Sequence, residues 1–190
     1  MKPSYLFLAP GFEEIEALAT VDVLRRCGMD VYTVSISNNY QVTGAKNVTV
    51  VADKLIADVD LQDADWLICP GGMPGATNLS RCEVLTSALI SHFRAGGHVA
   101  AICASPAVVL APLGIIDGKR ATCYPGMGNG IKRVVMTGRD VEIADNVITA
   151  NGPASTLMFA LAIARVSVGV EKAREVADGL LYTHQQPPIF

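Results

Sequence analysis

The sequence predicts an α/β fold with a mostly parallel central sheet and helices on both of its faces. Short apolar runs alternate along the chain with longer segments whose apolar residues recur at helical spacing. A strand, a helix and a second strand follow one another within residues 5–36, and this βαβ order joins parallel strands. The alternation continues without a linker or an internal repeat. We therefore expect a single domain, residues 1–190, built as a three-layer α/β/α sandwich.

The first half of the chain is divided into elements at its glycines and prolines. Residues 13–26 have apolar residues at helical spacing, acids in the first turn and two arginines in the last, and the helix dipole favours that order of charges. In order, the predicted elements are strand 5–9, helix 13–26, strand 31–36, an edge hairpin within 42–52, strand 65–69, the glycine-rich loop 70–75 and helix 79–93.

The second half begins with a strand that leads directly into a helix, and the pattern becomes less regular beyond Gly118. The predicted elements here are strand 99–102, helix 104–110, strand 120–124, loop 125–130, two more strands from 134–136 and 141–150, a helix from 153 to 166, helix 171–181 and a tail at 185–188.

Cys103 stands between the strand and the helix of residues 99–110. The strand is apolar, as expected for burial on both faces, and Ser105 and Pro106 suit the first turn of a helix. Since no turn residue separates the two elements, the chain must reverse at Cys103 and hold its side chain at the positive end of the helix. This position predicts a thiol more acidic than that of free cysteine. The alternative is a small apolar residue in a buried strand.

Two other loops are expected to meet Cys103, because sites in an open parallel sheet form beyond the carboxyl ends of the strands. The main-chain N–H groups of Gly72 and Ala104 are suited to hold a developing oxyanion. Glu16 lies on the flank of the apolar face of the first helix, so its carboxyl is expected to be partly buried. Beside a thiolate, such a carboxyl keeps its proton. The alternative is that Glu16 and its two acidic neighbours are ordinary first-turn acids.

Composition and motifs exclude several classes of protein. The net charge of −3 and the absence of a basic block argue against a nucleic-acid partner. No apolar run is long enough for a membrane span or a signal peptide, so the cytoplasm is the expected location. Five cysteines without a CxxC pair argue against a disulfide framework and a zinc site. The glycine-rich loop lacks the nucleotide-binding patterns, and none of the 3 histidines is spaced to pair with Cys103. We expect neither a metal nor a cofactor.

Four segments in order along the chain carry a resemblance to a known family. They are residues 8–16 (LAPGFEEIE), 69–72 (CPGG), 101–106 (AICASP) and 151–153 (NGP). They resemble the ThiJ/PfpI family and, more narrowly, its parkinsonism-associated protein deglycase branch in the class I glutamine amidotransferase-like superfamily. The likeness runs from about residue 4 to residue 181. It implies a flavodoxin-like sandwich and a homodimer.

The resemblance also implies roles for individual residues. Cys103 corresponds to the nucleophile, Glu16 to its protonated partner, and the N–H groups of Gly72 and Ala104 to an oxyanion hole. The candidate accessory residues are Gly71, Tyr124, Arg26 and Lys46.

The sequence departs from the family pattern at two of these positions, Lys46 and Tyr124. Arg26 and Lys46 fall where the family has basic residues near the site and the dimer interface, but arginine is more usual at the position of Lys46. Tyr124 stands where some members have a histidine, and a tyrosine is a poor base at neutral pH. Peptidase-like members have a histidine directly after the nucleophile, where this chain has Ala104, so proteolysis is not expected.

The function implied by the resemblance is that of a cofactor-free hydrolase or lyase that depends on Cys103. Its substrate would be an α-oxoaldehyde such as methylglyoxal, converted to lactate, or an early glycation adduct of such an aldehyde. The alternative is a redox-sensing chaperone of the stress response, in which Cys103 is oxidised. The expected partners are therefore this small molecule and a second copy of the chain, with no membrane.

Overall fold

The structure is a computed structural model, and it describes residues 2–182. The strands are β1 Ser4–Leu8, β2 Val31–Ser35, β3 Gln41–Thr43, β4 Thr49–Val51, β5 Lys54–Leu55, β6 Trp66–Cys69, β7 His98–Ile102, β8 Arg120–Ala121, β9 Val135–Met136, β10 Val141–Ala144 and β11 Val147–Ala150. The α-helices are α1 Glu14–Arg26, α2 Gly75–Ser80, α3 Glu83–Arg94, α4 Thr156–Val168 and α5 Val170–Gly179. The short helical turns are Ile56–Asp58 and Pro153–Ser155, which are 3₁₀, and Pro106–Leu110, which is π-helical.

Seven strands form the main sheet, in the order β10-β11-β7-β6-β1-β2-β5. Neighbouring strands are parallel except for the antiparallel pair of β10 and β11. The prediction of a mostly parallel sheet is therefore confirmed. Because β1, β6 and β7 are adjacent and parallel, the chain segments that follow them lie at the same edge of the sheet.

Alternate residues of the central strands face two apolar cores. Leu6 and Leu8 of β1 lie in one core with residues of α1, α4 and α5. Tyr5 and Phe7 lie in the other core with residues of α2 and α3. This period of two is that of a strand buried on both faces, and it confirms the three-layer sandwich.

Several predicted boundaries are wrong. The single helix 79–93 is two helices, α2 and α3, with Arg81 and Cys82 between them. Leu79, Leu85 and Leu89 face the same core on both sides of this break, so the apolar period continues through it and hides it. The predicted α-helix 104–110 is instead the π-helical turn Pro106–Leu110, in which the Ala111 N–H donates to the Pro106 carbonyl at 3.0 Å.

The edges of the sheet also differ from the prediction. Residues 141–150 form the hairpin of β10 and β11, and strand 120–124 is reduced to β8, which pairs with β9. The hairpin of β3 and β4 is a separate two-stranded sheet, and the short, unpredicted β5 occupies the edge next to β2. The tail predicted at 185–188 lies outside the described residues.

Within residues 2–182, no helix combines the length and the apolar character needed to cross a membrane.

Candidate active site

Cys103 follows β7 directly, and its backbone lies in the left-handed region with φ 63°. This conformation costs a non-glycine residue about 1–2 kcal/mol, so its neighbours must hold it. The Cys103 N–H donates to the Ala150 carbonyl at 2.9 Å, and the Cys103 carbonyl accepts the Tyr124 N–H at 2.7 Å. The side chain is 8 % exposed. The predicted reversal at Cys103 is therefore confirmed, and the alternative of an ordinary strand residue does not hold.

The loop after β6 is fastened to this reversal. The buried Ser105 hydroxyl, two residues beyond Cys103, donates to the Pro70 carbonyl at 2.5 Å. Ser105 therefore does not cap a helix, as the sequence suggested, but joins the ends of two neighbouring strands. This contact brings the glycine-rich loop next to the Cys103 side chain.

Glu16 is fully buried in the first turn of α1. Its N–H donates to Oε2 of Glu13, the N-cap residue, at 2.8 Å. Its own Oε2 accepts the Gly71 N–H at 2.7 Å. Within residues 2–182, Oε1 is buried without a hydrogen-bond partner of regular geometry. The side chain that hydrogen-bonds to this carboxyl is Cys103, and the charge of Glu13 also acts on it.

The Cys103 sulfur faces three polar groups: the N–H of Gly72, the N–H of Ala104 and the Glu16 carboxyl. The loop has no room for side chains at this point. A Cβ atom on Gly71 would lie 2.6 Å from the Cys103 Cβ and 2.8 Å from the Glu16 Oε2. Two consecutive glycines therefore let the main chain of the loop approach both side chains.

Burial raises the pKa of both side chains. It raises the pKa of Glu16 to about 7, although the Gly71 N–H and Cys103 oppose the shift. Burial and the Glu16 charge raise the pKa of Cys103 to about 12, against the N–H groups of Gly72 and Ala104. This raised pKa applies to a thiol beside an ionised Glu16, whereas the acidified thiol predicted from the sequence belongs to the form in which Glu16 keeps its proton. With pKa values of about 7 and about 12, the pair holds one shared proton between these pH values.

This arrangement combines the parts needed for nucleophilic chemistry at a carbonyl group. Two N–H donors stabilise negative charge on sulfur or on a nearby oxygen, and a carboxyl with a pKa of about 7 can give and take a proton near neutrality. Across residues 2–182, no group of three or more His, Cys, Asp and Glu side chains is arranged to hold a metal ion.

The profile of the DJ-1/PfpI family matches residues 3–166. The chain belongs to the DJ-1/PfpI family. The resemblance seen in the sequence is therefore confirmed. Toxoplasma gondii DJ-1, whose structure is of an oxidised form, superposes on this DJ-1/PfpI chain with a TM-score of 0.92. That pair is 35% identical, and the match covers 97% of this chain and 100% of the other.

Curated relatives extend the comparison. Protein dj-1beta of Drosophila melanogaster is 35% identical over 185 residues, 96% of this chain and 98% of its own. Glutathione-independent glyoxalase DJR-1.2 of Caenorhabditis elegans is 36% identical over 182 residues, 94% of this chain and 96% of its own. The chain spans only 40% and 44% of the length of two Arabidopsis thaliana relatives, DJ-1 homologs B and A, at 34% identity over 174 residues.

The predicted accessory residues are only partly brought together. Gly71 contacts Glu16 directly. The Tyr124 main-chain N–H donates to the Cys103 carbonyl, Tyr124 as a whole is 49% exposed, and its ring lies against Gly152. The two basic residues, Arg26 and Lys46, have other surroundings.

Arg26 lies at the far end of α1, about 15 Å along the helix axis from Glu16 at 1.5 Å per residue. There its Nε donates to Asp22 at 2.9 Å. Lys46 is exposed in the loop of the β3–β4 hairpin, and its N–H donates to Oε1 of Glu14 at 2.6 Å. The fold thus brings neither basic side chain into contact with Cys103 in one copy of this DJ-1/PfpI protein.

Sequence reasoning missed the contribution of Glu13. Its N–H donates to the Gly71 carbonyl at 3.0 Å, and its carboxylate caps α1. The signal was its place two residues before Ile15, the first apolar residue of the helix, close to where capping residues stand. Glutamate is not among the residues favoured at that position, so the residue pattern did not single out Glu13.

Proposed function

We propose that this protein is a cofactor-free enzyme that converts small α-oxoaldehydes, such as methylglyoxal, to hydroxy acids such as lactate. The observation that carries the proposal is the Cys103 sulfur, which faces two main-chain N–H donors and the buried carboxyl of Glu16. Cys103 is the proposed nucleophile, Glu16 the acid and base, and the N–H groups of Gly72 and Ala104 the proposed oxyanion hole.

The proposed reaction forms and breaks one carbon–sulfur bond. The thiolate adds to the aldehyde carbon, and the aldehyde oxygen takes the Glu16 proton to give a thiohemiacetal. Glu16 then accepts the proton from that carbon and returns it to the neighbouring ketone carbon. The hydroxyl proton of the thiohemiacetal passes to the former ketone oxygen, and the product is the thioester of lactate. Water hydrolyses the thioester to lactate and frees the thiol. The sum is methylglyoxal plus water giving lactate, with no external oxidant or reductant.

The contacts favour the form of the pair in which Glu16 carries the shared proton. The sulfur faces two N–H donors, whereas one N–H donates to the carboxyl. An ionised carboxylate would leave the buried Oε1 with only the Cys103 S–H as a donor, and a thiol is a weak donor to a buried charge. A proton on Oε1 instead makes this oxygen a donor toward the thiolate.

Access to the sulfur supports a small substrate. Cys103 is only 8 % exposed. A wider apolar groove of about 460 Å³ lies between β10, α4 and α5, lined by Val141, Leu161 and Ala173 among others, and Cys103 is not part of it. The name of the relative DJR-1.2, a glutathione-independent glyoxalase, agrees with the same substrate class. Because Cys103 is so little exposed, we propose free aldehydes, rather than bulky glycated adducts, as the substrates.

The test of the function is lactate formation from methylglyoxal by the purified protein in buffer without glutathione. We expect steady turnover that continues after extensive treatment with a metal chelator. Failure to form lactate, or another hydroxy acid from glyoxal or phenylglyoxal, would remove the proposed activity.

The pH dependence of Cys103 alkylation tests the role of Glu16. In the wild-type protein we expect iodoacetamide reactivity at Cys103 to rise with a midpoint near pH 7, where the pair loses its first proton. Glu16→Gln removes the acid that shares this proton and replaces its O–H by a weaker amide donor. We expect the midpoint to rise by about one pH unit or more.

The opposite shift would contradict this assignment. If Glu16 is ionised beside a neutral thiol, its replacement removes a negative charge and the midpoint of Cys103 falls. Cys123 provides the internal control, because burial raises the pKa of its thiol and Glu16 is not among the groups that shift it. Peptide mass spectrometry follows both thiols in the same sample.

A redox-sensing chaperone is the second candidate function. The observation that favours it is the likeness to Toxoplasma gondii DJ-1, whose structure is of an oxidised form. The thiolate form of the same Cys103 sulfur is the form that reacts with peroxide. Intact-mass analysis after mild peroxide tests it. A gain of about 32 Da, two oxygens, confined to Cys103 supports sensing, and scattered oxidation of several thiols contradicts it.

We also propose a homodimer in the cytoplasm. Ile15 and Leu18 of α1 are 57% and 39% exposed, and Val48 and Val51 of the neighbouring hairpin are exposed as well. Exposed apolar side chains on adjacent elements suit an interface with a second copy. The five free cysteines suit a reducing compartment. Sedimentation analysis at micromolar concentration should give twice the monomer mass.

A further inference from the structure

The N-cap of α1 is chemically unusual. Glu13 occupies it with an extended backbone, φ −84° and ψ 122°, and its Oε2 accepts the Glu16 N–H at 2.8 Å. Serine, threonine, aspartate and asparagine are the residues favoured at this position. A neutral hydroxyl would satisfy the same N–H, so capping by itself does not require the charge or the length of a glutamate.

The main chain of Glu13 lies where the parts of the candidate site meet. Its N–H donates to the Gly71 carbonyl at 3.0 Å, while the Gly71 N–H donates to the Glu16 Oε2 at 2.7 Å. The N–H and the carbonyl of Gly71 are thus both hydrogen-bonded to residues at the start of α1. A Cβ on Gly72 would collide with the Glu13 nitrogen, so the next peptide of the loop is also packed against Glu13.

We propose that Glu13 is a positioning residue, whose cap hydrogen bond and contact with the loop hold its own negative charge beside the Glu16 carboxyl that shares a proton with Cys103. The proposal rests on the proposed function, because it assigns Glu13 a part in the chemistry of Cys103. Glu13 is not among the groups that act on the Cys103 sulfur, and its effect passes through Glu16.

The charge of Glu13 adds an electrostatic contribution. Two ionisable groups act on the Glu16 carboxyl: Glu13 at the N-cap of its own helix, and Cys103 after β7. The negative charge of Glu13 contributes to the raised pKa of Glu16, after burial, which is the largest cause. Removing this charge lowers the pKa of Glu16, so the pair with Cys103 loses its first proton at lower pH.

The test measures the pH dependence of Cys103 alkylation by iodoacetamide in the full-length wild-type protein and three variants. In Glu13→Gln, which keeps an acceptor for the cap, we expect the midpoint to fall, with about two- to fivefold faster alkylation below it. In Glu13→Asp, which keeps the charge and a favoured cap, we expect the wild-type midpoint. Glu83→Gln removes an exposed acid from the first turn of α3 and should leave the profile unchanged.

The alkylation readout is independent of turnover. Absence of lactate formation would remove the proposed function and leave the profiles interpretable. An unchanged midpoint in Glu13→Gln, or a shift of equal size in Glu83→Gln, would overturn the role of Glu13. Thermal unfolding of each variant identifies the third possibility, a cap that only stabilises α1, because Glu13→Gln would then lower the melting temperature without moving the profile.

Discussion

Replacing Cys103 by serine is expected to reduce lactate formation from methylglyoxal by about three orders of magnitude or more. A serine hydroxyl has nearly the same shape as the thiol. Glu16 cannot remove the hydroxyl proton to form an alkoxide near pH 7, whereas a thiol can be ionised there. The two N–H donors and the carboxyl remain in place in this variant. The measurement is the initial rate of lactate formation under saturating aldehyde.

Cys123→Ser is the matched control, because Cys123 is also 8 % exposed and is the nearest other cysteine along the chain. Its sulfur bonds weakly to the Tyr124 carbonyl at 3.5 Å and does not interact with Glu16. We expect this variant to retain most of the activity. Undiminished turnover in Cys103→Ser, with unfolding curves like those of the wild type, would remove Cys103 from the reaction.

Gly72→Ala is expected to destabilise the protein by about 3 kcal/mol or more. Gly72 has φ +86°, which an alanine adopts at a cost, and the added Cβ would lie 2.6 Å from the Gly11 carbonyl oxygen. The other atoms in its way are also main-chain atoms of residues 11–13, which no rotamer change can move. Relief of this collision would move the Gly72 N–H away from Cys103. Urea unfolding gives the stability, and the alkylation rate of Cys103 reports on the site.

Gly96→Ala separates the two causes. Gly96 has nearly the same backbone, φ +85°, but no atom lies within 4 Å of an added Cβ. We expect it to lose only about 1 kcal/mol, the cost of the backbone conformation. If both variants lose the same stability, the close approach of the glycine-rich loop to α1 is not what fixes glycine at residue 72.

The central strands and the position of Cys103 were predictable because their signals are local. Residues 5–9 and 99–102 are continuous apolar runs, and the strands β1 and β7 lie within one residue of them. The direct step from strand to helical turn required a reversal at Cys103, and φ 63° is that reversal. The shape of the helical turn after it was not predictable, since α and π turns share the same residues over so short a length.

The hairpins and short edge strands depend on pairing between segments rather than on residue pattern. The two-residue strand β5 is a strand only because Lys54 and Leu55 pair with Val34 and Ser35 of β2. The break between α2 and α3 is likewise invisible to the apolar period, because the same face is buried on both sides of it. Such boundaries are decided by contacts with other elements.

The sequence by itself determined the layered α/β fold, the family, and the choice of Cys103, Glu16, Gly72 and Ala104, because burial patterns and ordered motifs are properties of the chain. Only the tertiary structure decided the electrostatics of the site. Burial of Glu16 and its contact with Cys103 couple the protonation of the two groups, so that one proton is common to both. The structure also decided the part of Glu13 and the distance of Arg26, since desolvation and distance arise only when separate segments are packed together.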